Sequence, residues 1–61
     1  MNYSVEHTED RKMNFIIKDN DEDLIEFIKS KADYIIETAK VEELNIIKEN
    51  KIIFTKSIER S

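Results

Sequence analysis

Between residues 24 and 39 the apolar side chains recur at three- and four-residue intervals: Leu24, Ile25, Ile28, Ala32, Ile35, Ile36 and Ala39. That spacing places them on one stripe of an α-helix and predicts a helix over roughly 21–40. Phe27 widens the stripe on one side, and Glu26, Lys29, Lys31, Asp33, Glu37 and Lys40 fall mostly elsewhere. Pairs such as Glu26–Lys29 add only a few tenths of a kcal/mol on an exposed helix. The stripe itself must therefore be buried against whatever the rest of the chain provides.

The rest reads as strands. In Met13-Asn14-Phe15-Ile16-Ile17 the odd residues point one way and the even residues the other. Tyr3, Val5 and His7 alternate in the same manner, with the polar stretch HTEDRK between the two runs. This predicts an N-terminal hairpin whose first eight residues are exposed to fraying. After the helix, LNIIKENKIIFTKSI is nearly mirrored about Glu49-Asn50. Asn tolerates the positive φ of a tight turn, so a second hairpin is expected there. The rival is a helical continuation over Val41–Glu49, favoured by Glu42-Glu43; β-branching favours the hairpin.

The expected fold is α+β: one small β-β-α-β-β domain over residues 1–61, with an antiparallel sheet packed on a single amphipathic helix. No repeat or linker is visible. A domain of this size buries only about 60% of the surface its unfolded chain exposes. There is no Cys to add a disulfide, which leaves a reducing compartment open to it. Both parities are apolar in three of the strands, through residues such as Ile16, Ile47, Ile52 and Ile53. One helix cannot cover two faces, so a second cover is expected, either another copy of the chain (a homodimer) or a partner protein.

The run DNDEDL, residues 19–24, carries the charge asymmetry. Residues 19–26 hold five acidic and no basic side chains, and the net charge of the chain is −4. Asp19, Asp21 and Asp23 match the first ligand positions of an EF-hand loop. The match then fails, because Leu24 stands where Gly must turn the loop and Ser30 where a bidentate Glu must chelate. The run reads instead as a helix start. Asp19 or Asn20 can cap, with Glu22 or Asp23 three residues on, and acidic residues favour the positive end of the helix dipole. Capping needs about two carboxylates of this kind; helix capping is the first reading of the run, and the surplus beyond it is the candidate surface for a basic partner.

Other chemistries have little to work with. His7 is the only histidine and lies in a polar stretch with no second His or Cys, so a transition-metal site is not expected. Ser4, Ser30, Ser57 and Ser61 have no activating histidine in a recognisable arrangement, and no Gly-rich phosphate loop exists in a chain without Gly. Neither an enzyme nor a cofactor is expected. The opening MNYSVEHTEDRKM has no apolar run behind a basic flank, and the longest uninterrupted apolar run is Ile52–Phe54. A secretory signal and a membrane span are therefore not expected, and a cytoplasmic location is. Lys48, Lys51, Lys56 and Arg60 lie in or next to the second hairpin and could serve a β-ribbon in a DNA groove. The acidic balance and scattered basic residues argue against nucleic acid.

In its bias towards Ile and Lys and its lack of Gly, Pro, Cys and Trp, the chain resembles the small accessory proteins of phages and plasmids. Among these are anti-restriction and anti-CRISPR inhibitors and antitoxins. That resemblance implies a non-enzymatic inhibitor or regulator that occludes a basic protein surface. Asp19, Asp21, Glu22, Asp23 and Glu26 would carry the charge, as a mimic of nucleic-acid phosphates. Tyr34, at the edge of the apolar stripe, would anchor the rim, whereas each phenylalanine is expected in the core. The alternative is a dimeric DNA-binding regulator or antitoxin using the C-terminal hairpin.

Overall fold

The segments KMNFII and ELNIIK become two parallel strands at the centre of one sheet in the computed structural model, which describes residues 2–58. The elements run β1 (Tyr3–His7), β2 (Lys12–Ile17), α1 (Glu22–Ser30), α2 (Ala32–Ala39), β3 (Glu43–Lys48) and β4 (Lys51–Ser57). The sheet order is β1-β2-β3-β4. Its outer pairs are antiparallel hairpins and its central pair is parallel.

The mixed sheet corrects the expected antiparallel one, for a topological reason. The helical segment leaves the end of β2, runs back over the sheet and delivers the chain to the start of β3. Two neighbouring strands joined by such a crossover must be parallel.

The single expected helix is also corrected to two, broken at Lys31 (φ −106°, ψ 9°). No Gly or Pro causes the break. The Ser30 hydroxyl donates to the Phe27 carbonyl at 2.8 Å, and the Lys31 N–H is shared between the carbonyls of Phe27 and Ile28. A serine that bonds back to its own helix competes with the ladder and bends it.

The apolar stripe buries as its spacing predicts. Ile25, Ile28, Ala32 and Ile36 pack against Phe15, Ile17, Leu44 and Ile46 of the two central strands, with Val41 closing one end. Tyr3 and Phe15 extend this layer, their ring centroids 6.0 Å apart.

The chain has no glycine, so its left-handed positions fall on Arg11, Lys40, Glu49 and Asn50. Glu49 and Asn50, with φ 52° and 63°, form the two-residue turn of the second hairpin, as expected over a helical continuation. Two consecutive positive φ values match the twist of the flanking strands. Lys40 ends α2 with φ 59°, and the Val41 N–H reaches the Ile36 carbonyl at 3.2 Å. That bond and the burial of both side chains make a Schellman ending, with lysine where glycine is usual.

No described element covers the opposite face of the sheet. Its side chains fall into three rows across the strands. Ile16, Ile47 and Ile52 form an apolar row, with Ser4 at its β1 edge. Glu6, Asn14, Asn45 and Thr55 form a polar row. Lys12, Glu43 and Ser57 form a third. A bulge between the Ile46–Phe54 and Ile47–Ile52 pairs leaves Ile53 as the extra residue of β4. Ile52 and Ile53 are 60% and 45% exposed.

Candidate protein-binding surface

Asp21 caps α1: its Oδ1 accepts from the Leu24 N–H at 3.0 Å. The expected cap at Asp19 or Asn20 is thereby corrected by one or two residues. The backbone turns at this point, with the Asp21 N–H on the Asp19 carbonyl at 2.9 Å. Only the Asp21 side chain is then placed to reach the first free N–H groups of the helix.

The other carboxylates stay outside. Asp19, Glu22, Asp23 and Glu26 are all exposed. Glu22 faces Lys48 of β3 at 3.9 Å, and Glu26 pairs with Lys29 at 3.3 Å, as its spacing suggested. Asp33 pairs across to Lys56 of β4 at 3.5 Å rather than along its own helix. Exposed pairs of this kind contribute little stability, and their lysines locally offset Glu22, Glu26 and Asp33. The negative field of the helical layer therefore comes mainly from Asp19, Asp23 and the surplus of acidic over basic side chains in this segment.

The distribution of that field is clearer in the fold than along the chain. The helical segment, residues 19–40, holds seven acidic and three basic side chains, which equals the whole net charge of −4. The strand-bearing segments on either side balance. The two-layer fold thus has one negative layer and one balanced layer.

The outer surface of the helices also carries aromatic area. Tyr34 is 70% exposed. Phe27 is 59% exposed, which corrects its expected place in the core. It lies on the flank of α1, turned past the edge of the buried stripe of Ile25 and Ile28. Phe27, Lys31, Tyr34 and Ile35 line an open apolar groove of about 260 Å³ across the break between the helices. The sequence signal for this groove is the seven-residue spacing of Phe27 and Tyr34, about two helical turns on one side. Asp23 lies one turn before Phe27 on α1.

The structure therefore brings Glu22, Asp23 and Glu26 onto the helix that also presents Phe27, with Tyr34 on the next helix. It gives Asp21 to the fold. Among the described residues no group of three or more acidic or histidine side chains is arranged to hold a metal ion. No described helix is long and apolar enough to cross a membrane. No family model, curated protein or solved structure matches the chain.

Proposed function

We propose that the chain is a small non-enzymatic inhibitor or regulator, of phage or plasmid type, that binds a basic protein surface through its helical layer and occludes it sterically. The observation that carries this reading is the coincidence of the whole net charge with an exposed aromatic groove on one layer. Glu22, Asp23 and Glu26 steer and orient the partner, as clustered charge does at protein interfaces. Phe27 and Tyr34 supply desolvated contact area, the usual source of affinity. Asp19 extends the charged edge, and Asp21 acts by fixing the helix start.

The alternative is a dimeric DNA-binding regulator or antitoxin that uses the second hairpin. It has less behind it, because Lys48 and Lys56 are turned to carboxylates of the helical layer.

The test is differential capture from a lysate of the source cell, followed by mass spectrometry. The baits are the wild-type chain, Phe27→Ala/Tyr34→Ala, Glu22→Gln/Asp23→Asn/Glu26→Gln, and Ile52→Lys on the opposite face. The reading expects one basic protein retained by wild type and by Ile52→Lys and lost by both helical variants. Retention of the same protein by both helical variants would overturn it.

A further inference from the structure

We propose that a second copy of this chain packs on the uncovered sheet face, about a two-fold axis parallel to the strands and between β2 and β3. The inference is independent of the helical-layer reading, since it uses the opposite face.

The register makes the face self-complementary about that axis. The rotation exchanges β2 with β3 and β1 with β4 of the second copy, and keeps each row at its own height. Ile16 then meets Ile47 of the second copy, and Ile47 meets its Ile16. Asn14 faces Asn45, and Ser4 faces Ile52. Lys12 faces Glu43 of the second copy, twice by symmetry. Within one chain Lys12 and Glu43 already approach to 3.8 Å. The dimer therefore builds a four-membered cluster of alternating charge, as an isologous interface allows. A two-fold axis in the interface but perpendicular to the strands would instead set the isoleucine row on the Lys12–Glu43 row, burying charge against apolar side chains.

Charge also selects this face for a second copy. The helical layer carries the net charge of −4 and repels its own kind. Sheet-to-sheet packing turns both helical layers outward. The centre of the polar row does not oppose association, because its amides are satisfied within the chain: Asn45 donates to Asn14 and Glu43 and accepts from Thr55. Glu6, on the edge strand β1, stays at the rim of the interface. Four strands spaced about 4.8 Å apart and about six residues long at about 3.3 Å each give a face of about 19 by 20 Å, roughly 380 Å² per copy in projection, which is the size of a weak, reversible interface and not of an obligate one. A weak, reversible dimer is therefore expected.

Sedimentation equilibrium on the full chain tests this, with circular dichroism as the check on folding. Wild type should dimerise reversibly. Ile47→Lys should weaken the dimer at least about tenfold with the spectrum unchanged, as loss of a central interface contact does. Lys12→Glu and Glu43→Lys should each be monomeric alone and dimerise when mixed, because each then opposes the other's charge. If Ile47→Lys unfolds, the charge-swap mixture decides. A wild-type monomer up to about 1 mM would overturn the proposal. So would a dimer that these substitutions leave intact, or a mixture that stays monomeric.

Discussion

Asn45 Nδ2 donates to Asn14 Oδ1 at 2.9 Å, between register-matched positions of the two parallel strands. The bond is the centre of a row that crosses the whole sheet. Asn14 donates to Glu6 at 3.2 Å, and the Thr55 hydroxyl donates to Asn45 at 2.8 Å. Asn45 is only 4% exposed although no described element covers its face; its side chain is held by Asn14, Glu43 and Thr55 around it. Its amide is fully engaged, which is the condition for burying such a group at low cost. Asn45→Ala should therefore destabilise the fold by about 1–3 kcal/mol, since it removes three hydrogen bonds and leaves a gap at a buried position. Asn14→Ala should cost less, because Asn14 is only half-buried. Urea titration of both variants checks the order.

The acidic segment divides into one structural carboxylate and several that the fold does not need. Asp21→Ala should lower stability by about 1 kcal/mol through loss of the cap. Glu22→Gln and Asp23→Asn should each stay within about 0.5 kcal/mol, as exposed substitutions do. Thermal melts distinguish these outcomes. An equal loss at Asp21 and Asp23 would mean that charge at the helix end, rather than the cap bond, stabilises α1.

Lysine at a left-handed helix ending is a cost that glycine removes. Lys40→Gly should stabilise the chain by about 1 kcal/mol, offset in part by greater freedom of the unfolded chain. A rise in Tm of about 4–8 °C corresponds to that gain in a domain of this size. Asn50→Gly, giving Glu-Gly in the hairpin turn, should act in the same direction. A fall in Tm for Lys40→Gly would show that its side chain contributes more than its backbone costs.

The hairpin lysines do not form one free basic face, since Lys48 and Lys56 each lie within 4 Å of a helical carboxylate at 3.9 and 3.5 Å. A mobility-shift assay with duplex DNA at physiological salt should show no complex. Binding that falls steeply with salt and is lost on joint neutralisation of Lys48, Lys51 and Lys56 would favour the DNA reading instead.

Much of the fold was legible in the sequence because it rests on local periodicity. The three- and four-residue spacing of Leu24 to Ala39 located the helical stripe, and the mirrored pattern about Glu49-Asn50 located the turn. The break at Lys31 was hidden because it comes from a serine back-bond rather than from Gly or Pro. The parallel centre was hidden because strand direction depends on where the crossover lands. A signal for it did exist: KMNFII and ELNIIK carry Asn and the apolar residues in the same order, and they pair in that register. The acidic run was visible as a run, but which carboxylate caps depends on the backbone turn at Asp21. Phe27 escaped because one more apolar residue beside a helical stripe does not reveal whether the sheet is wide enough to cover it.

The central claim, a basic partner held by the helical layer, is tested most directly by affinity against ionic strength. The basic protein captured by the wild-type chain is titrated with wild type and with Glu22→Gln/Asp23→Asn/Glu26→Gln, at low and at high salt. The account predicts that the triple variant binds at least about tenfold more weakly at low salt, and that the difference shrinks as screening shortens the Debye length. Equal affinity of the two chains at low salt would contradict it.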